Sequence, residues 1–334
     1  MNLEAQNLEI SNSVTEPALR LNAVVPSALA QERLDRLVAL IWECSRAEAA
    51  RLVAEGKVAL NGTAVTTRSR RVVTGDAVKL TELPVVAQVA PQPDASVHLD
   101  LLYEDEHVVV VNKPAQLVVY PGTGNSTGTM ANGLLALYPE MAYVGEPQRP
   151  GIVHRLDKGT SGVLMAARTQ VAYEALTGAL SRREVKRCYS ALVAGLPSDD
   201  RGVIDAPVGR SPRCPTKMAV LSSGHPARTH YVVLDRISGK GVTDNDVAVA
   251  HLDLQLETGR THQIRVHLAA IGHPLLGDEL YGGPRVVRLS RPALHARTLG
   301  CIHPTTAEPL HFEVPPPQDF VDVLALVGIT TSQD

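Results

Sequence analysis

A fourteen-residue stretch in the middle of the chain limits its possible folds more than any other. Arg149-Pro150-Gly151-Ile152-Val153-His154-Arg155-Leu156-Asp157-Lys158-Gly159-Thr160-Ser161-Gly162 is polar and glycine-punctuated, and it runs straight into apolar Val163-Leu164-Met165-Ala166-Ala167. Such a sequence reads as a loop feeding a buried strand. Its one carboxylate, Asp157, sits beside His154, Arg155 and Lys158. Neighbouring cations favour a charged carboxylate, and glycines let a backbone take positive φ or let a ligand approach closely. Two readings follow from the residues alone: a loop that presents a reactive aspartate, or an ordinary surface turn.

The rest of the chain sets the frame for that loop. A length of 334 residues implies two or three domains and a sizeable core. With 44% hydrophobic residues but only two Phe and one Trp, the core must be built mainly from Ala, Val and Leu. No apolar run approaches the roughly 18 residues needed to span a membrane, and the N-terminus lacks the basic-then-apolar pattern of a signal peptide. A soluble, cytoplasmic protein with no membrane partner is expected. Cys44, Cys188, Cys214 and Cys301 have no paired spacing, which argues against a disulfide framework and a zinc site. The net charge of −3 does not announce a nucleic-acid protein until it is resolved by region.

Residues 1–22 lack periodicity and read as a mobile acidic tail. From 23 to 82 a small domain is expected. Leu34, Leu37, Val38 and Ile41 recur at helical spacing. A second helix should start at the capping box of Ser45 and Glu48 and close at Gly56. Asn61-Gly62 between two short apolar runs predicts a tight hairpin, and Ala77 to Thr81 a last strand. Between Gln31 and Lys79 nine Lys/Arg face six Asp/Glu, a local +3 inside an acidic protein, with Arg68, Arg70 and Arg71 clustered. Such a patch suits phosphates, which supply affinity and orientation without reading sequence. Residues 83–97, with Pro84, Pro91 and Pro93, read as an extended linker.

Residues 98–325 form the larger expected domain. Asp100 to Tyr103 and Val108 to Val111 read as two strands, the second buried and stopped at Lys113-Pro114. A helix is expected from Gly128 to Leu137 and another from Gln170 to Arg183, then a strand from Val185 to Gly195. Arg210, Arg213 and Lys217 add a basic loop. Leu252, Leu254 and Leu256 alternate as one face of a strand. After it, Ile264, Leu268 and Ile271 have helical spacing before Gly272, which puts His262 and Arg265 one turn apart.

Three separated segments together resemble one family. His154-Arg155-Leu156-Asp157-Lys158-Gly159-Thr160-Ser161-Gly162 is similar to the signature loop of the RluA-type RNA pseudouridine synthases. Lys113-Pro114 with Leu117 to Gly122 resembles the family's first motif, although Gln116 stands where it usually has Gly and Tyr120 where it often has His. Leu256 to Leu268 resembles the third motif, and Leu294-His295-Ala296 with Ile302-His303-Pro304 the closing strand. Arg33-Leu34-Asp35, Ser45-Arg46 and Gly56 to Gly62 are similar to the S4 RNA-binding domain.

The resemblance implies an α+β protein: a small S4-type domain plus a larger mixed catalytic domain with a central antiparallel sheet. It implies Asp157 as the catalytic residue, Tyr189 as a platform stacked on a flipped base, and Arg265 as the partner that orients Asp157. Substrate contacts would come from His154, Arg155, Lys158, Arg260 and His262, and from Arg68, Arg70 and Arg71. From their position alone, two and three residues before Asp157, Arg155 or His154 is expected to fill the gap that the flipped base leaves in the RNA. Isomerisation moves the C1′ bond from N1 to C5 without loss of an atom, so neither cofactor nor metal is expected. The substrate implied is large-subunit ribosomal RNA, free or within large-subunit particles, and the protein should act as a monomer.

Rival classes fit less well. A phosphotransferase aspartate would have a second Asp two residues on, where Gly159 stands. A glycosidase needs a second carboxylate flanking the bond, and none accompanies Asp157 in its motif. A transfer-RNA synthase and a non-catalytic ribosome-assembly factor on the same two domains remain the alternatives. Whether Asp157 acts as nucleophile or as proton acceptor is open at this stage.

Overall fold

The computed structural model describes residues 21–329 except 43, 45, 84–89, 123–124, 213, 215–216, 238–241 and 245. The chain divides into two compact units, residues 1–87 with 212–214, and residues 88–211 with 215–334. The expected tail falls almost wholly outside the described residues, as do Ser45, Pro84 and Arg213.

The first unit follows its sequence pattern closely. Strand β1 (Asn22–Val24) opens it, and helix α1 (Leu34–Ile41) buries Leu34, Leu37 and Val38 as their spacing requires. Helix α2 (Arg46–Ala54) ends at Gly56, whose φ of +70° terminates the helix in the left-handed region. Strands β2 (Val58–Leu60) and β3 (Thr63–Ala64) flank Asn61 and Gly62, both at positive φ (51° and 82°), the backbone that a two-residue I′ hairpin needs. Strand β4 (Ala77–Leu80) completes a sheet of order β1-β4-β2-β3. Strand β1 was not foreseen, because three residues are too few to show alternation. The basic segment is pinned to α1: Arg70 and Arg68 accept the N–H groups of Leu34 and Asp35 at the otherwise unsatisfied start of the helix.

The second unit is built on a nine-stranded, mostly antiparallel sheet. In chain order its elements are β5 (Asp100–Glu104), β6 (Val108–Lys113), α3 (Met130–Leu137), β7 (Ser161–Ala167), α4 (Gln170–Ser181), β8 (Lys186–Ala194) and β9 (Arg201–Asp205). A separate two-stranded ribbon, β10 (Val208–Arg210) with β11 (Met218–Val220), precedes β12 (Arg228–Ile237), β13 (Val249–Leu256), α5 (Gln263–Ala270), β14 (Leu294–Ile302), β15 (Pro309–Glu313) and α6 (Gln318–Leu326). The sheet order is β5-β6-β7-β14-β8-β13-β12-β9, with β15 also on β14. Both faces are covered. Val109 and Val111 pack with Leu134, Leu254 and Leu268 on one side, while Val108 and Val110 pack with Leu176 and Leu299 on the other. That two-sided burial explains why β6 is an unbroken valine run and not an alternating strand.

Residues 90–97, expected as part of an extended linker, are held against α3. Gln92 accepts from the Asn132 side chain at 2.7 Å, Asp94 donates its N–H to the Asn132 carbonyl, and Val97 packs so closely on Gly133 that a Cβ there would meet it at 2.9 Å. Proline content marked the segment as extended, but extended backbone docks as readily as it links.

The centre of the sheet is a short parallel seam. Gly162 of β7 pairs with Ala296 of β14, and Ala296 pairs in turn with Tyr189 of β8, which faces Leu254 of β13. The loop before β7, the middle of β8 and the end of β13 thereby converge on one region.

Candidate active site

Asp157 lies at the end of the loop that enters this seam. The loop is tied down on several sides: Asp157 accepts the Thr160 N–H, Lys158 accepts the Gln116 N–H at 2.7 Å, and Gly159 accepts from the Arg291 guanidinium at 3.2 Å. Gln116, the residue in place of the family's glycine, adopts φ +72°, so the loop keeps a left-handed backbone despite the side chain. Below it Lys113 is 1% exposed; its Nζ donates to the carbonyls of Pro114 and Leu117, and burial pushes its pKa down to about 7 against the attraction of Asp157.

Helix α5 carries Arg265 to the same place. Arg265 is a bridge: Nη1 stands 3.4 Å from Asp157 Oδ2, while Nε and Nη2 donate to the two oxygens of buried Asp278 at 2.7 and 2.8 Å. Its stronger, bidentate partner is thus Asp278, and the Arg265 guanidinium lies over the Tyr281 ring at 4.9 Å. His262, with φ +55° at the start of α5, brings Nε2 to 3.8 Å from Asp157 Oδ2, and its Nδ1 meets the Tyr281 hydroxyl at 2.8 Å. Burial holds the His262 pKa below the usual histidine range in spite of Asp157.

These groups surround a cavity of about 630 Å³, enough for a nucleoside. Asp157, Tyr189, Arg265, His154, Arg155, Arg260 and His262 all line it. Tyr189 is 5% exposed and is among the residues that line the cavity. Arg155 is exposed, and its guanidinium donates to the Tyr120 hydroxyl at 2.7 Å and stacks on that ring. Lys158 does not line the cavity: its side chain is exposed outside it. Arg68, Arg70 and Arg71 belong to the first unit and are exposed there, with Arg71 donating to the Gln31 carbonyl.

One expected role is corrected by the geometry. His154 cannot fill a gap in RNA, because its Nε2 accepts the Met165 N–H of β7 at 3.1 Å and burial pushes its pKa down to about 3. It is a neutral ring anchored to the sheet, whereas Arg155 is exposed and held against Tyr120. Sequence reading also missed Asp278, Tyr281 and Arg291, which carry no spacing relation to Asp157. Lys113 was visible as part of a motif, but its burial was not. Among the described residues no group of three or more His, Cys, Asp or Glu is placed to hold a metal, and no helix is long and apolar enough to cross a membrane.

The arrangement is that of a carboxylate held in a nucleoside-sized cavity with an aromatic wall, and comparison with known proteins decides its class. The model of the family described as RNA pseudouridylate synthase matches residues 107–270, and that of the S4 domain residues 32–78. A Bacillus subtilis protein named uncharacterized RNA pseudouridine synthase YlyB is 42% identical over 88% of this chain and 93% of its own length. The chain belongs to the RNA pseudouridylate synthase family.

A protein of Neisseria meningitidis serogroup A named ribosomal large subunit pseudouridine synthase D is 40% identical over 96% of the synthase described here and 86% of its own length. The solved structure of human RNA pseudouridylate synthase domain containing 1 superposes with a TM-score of 0.52 at 28% identity, covering 68% of this synthase and 86% of the human chain. The expected fold class stands: an N-terminal S4 domain and a mixed domain with a large, mostly antiparallel sheet.

Proposed function

We propose that this synthase isomerises uridines of large-subunit ribosomal RNA, with Asp157 as the catalytic carboxylate. The observation that carries the reading is the placement of Asp157 Oδ2 against Arg265 and His262 inside the cavity that Tyr189 walls. Both contacts engage the same oxygen, Oδ2. The similarity to a protein named ribosomal large subunit pseudouridine synthase D supports the substrate class.

A base in a stacked helix cannot reach a group at this depth, so the target nucleotide is flipped into the cavity. Tyr189 offers its face to the pyrimidine, Arg155 and Arg260 at the exposed rim meet phosphates, and Arg68, Arg70 and Arg71 of the S4 domain add affinity. Asp157 acts as a nucleophile toward the sugar or the ring, or removes a sugar proton, and each route conserves every atom.

The test is a pseudouridine map of large-subunit ribosomal RNA, naked and in particles, after incubation with the wild type and with Asp157→Ala. New pseudouridines with the wild type alone are expected. A map unchanged by the wild type on both substrates would reject the ribosomal assignment, and an active Asp157→Ala would reject the catalytic one.

A further inference from the structure

Two donors in the cavity wall are left unpaired. Nδ1 of His154 and Nε of Arg187 are buried and have no hydrogen-bond partner among the described residues, and both residues line the cavity. Since Nε2 of His154 accepts from Met165, the proton of the neutral ring resides on Nδ1. Arg187 stands two residues before Tyr189 on β8, so the two side chains leave the same face of the strand.

Arg187 is the more unusual of the two. It is 6% exposed, yet no carboxylate among the described residues pairs with it. Among the described residues its one acceptor is the backbone carbonyl of Glu257 at 3.2 Å, while the Glu257 side chain is taken up by Arg183, Arg228 and His230. The third motif makes room for it: a Cβ on Gly259 would come within 2.8 Å of Arg187 Nη1. A buried guanidinium without a counter-charge destabilises a fold, and such a group persists where a ligand completes it.

We propose that Arg187, with the Nδ1–H of His154, receives a carbonyl oxygen of the flipped uracil and stabilises the negative charge of the detached base. The inference rests on the pseudouridine reading. When the C1′–N1 bond breaks, its electron pair leaves with the uracil, whose charge spreads over N1 and the carbonyl oxygens. C1′ is meanwhile held by Asp157 or freed of a neighbouring proton by it. Reattachment through C5 consumes the charge and leaves a neutral ring with hydrogen on C5; that proton is then lost from C5 and one is gained at N1, and on the elimination route Asp157 returns the sugar proton. A donor pair that is desolvated before the base arrives stabilises that anion more than water would. Phosphates are less suited to this position, because Arg187 is only 6% exposed whereas Arg155 and Arg260, also lining the cavity, are exposed and open to them.

The test compares Arg187→Gln, Arg187→Met and Arg187→Lys with the wild type on a transcript in which the wild type forms pseudouridine. At saturating RNA the Gln and Met variants should lose about 100-fold in single-turnover rate. RNA affinity should stay within about threefold and its salt dependence should not change, since no phosphate contact is lost. Arg187→Lys should recover part of the rate. Thermal unfolding of Arg187→Met should occur at or above the wild-type temperature, the reverse of a structural role. With 5-fluorouridine at the target, whose ring forms its anion more readily, the deficit in bond cleavage should shrink. A variant that keeps the wild-type rate but binds RNA weakly with a shallower salt slope would overturn the proposal in favour of phosphate binding. One that unfolds early and is not rescued by Lys would overturn it in favour of a structural role. Inactivity of the wild type itself would instead count against the parent reading.

Discussion

Arg265 serves two carboxylates unequally, and the inequality predicts what each does. Asp278 is 2% exposed and holds the guanidinium through two bonds, whereas Asp157 meets it once at 3.4 Å and keeps 17% of its side chain exposed. In the function proposed above, Asp278 positions Arg265 and Arg265 positions Asp157. Asp278→Ala removes the compensating charge from a buried cation and should cost about 3 kcal/mol in denaturant unfolding, together with most of the activity. Asp157→Ala leaves the Arg265–Asp278 pair intact, so its unfolding midpoint should stay near the wild type's while activity disappears. The buried histidines give a pH dependence. Burial pushes His154 down to about 3 and His295 down to about 4. Unfolded histidine titrates near 6.5. Below that pH the unfolded chain binds protons that the folded one refuses, so stability falls as pH drops. Denaturant unfolding at pH 5 should show a loss of roughly 2 kcal/mol for each of the two relative to pH 7.

At the scale of elements, the parallel seam between β7 and β14 is the least tolerant part of the fold. Gly162 has φ +118°, and a Cβ there would lie 2.1 Å from the Ala296 carbonyl oxygen. Gly162→Ala should cost more than about 3 kcal/mol, or prevent folding, because strand pairing and the Asp157 loop both depend on that contact. Gln116 offers the opposite case. Its left-handed backbone is strained for a residue with a Cβ, so Gln116→Gly should raise stability by about 1 kcal/mol with the bond to Lys158 retained, as thermal unfolding can measure. Elements with a clear period were legible in advance: α1 from Leu34, Leu37 and Val38, the hairpin from Asn61-Gly62, β13 from Leu252, Leu254 and Leu256. Strand β12 was not, because most of its side chains are half-exposed or exposed and no alternation survives. Helix α6 carried a signal that went unread, with Phe320, Val323 and Leu324 buried at helical spacing.

For the whole molecule, the cavity and the S4 domain belong to different units. Every residue lining the cavity falls between Tyr120 and Leu294, within the second unit. The first unit has its own core, from Val25 to Leu80, and holds the local excess of positive charge. A chain beginning at residue 88 should therefore keep its single-turnover rate at saturating RNA but bind more weakly, with a shallower dependence of affinity on salt. Binding measured at 50 and 200 mM salt for both lengths would check this, and an unchanged slope would remove the S4 domain from RNA contact.

What could be read along the chain was whatever is encoded by neighbours: helical and strand periods, turn residues, and three motifs whose residues are contiguous. Asp157, Tyr189 and Arg265 were each visible in that way as members of their own segment. Their relations were not. The bond from Arg265 to Asp278, the anchoring of His154 on Met165, the burial of Lys113 and the unpaired guanidinium of Arg187 arise from β7, β14, β8 and β13 lying side by side. Strand order and register join residues more than a hundred positions apart, and spacing along a chain carries no record of which distant donor meets which acceptor.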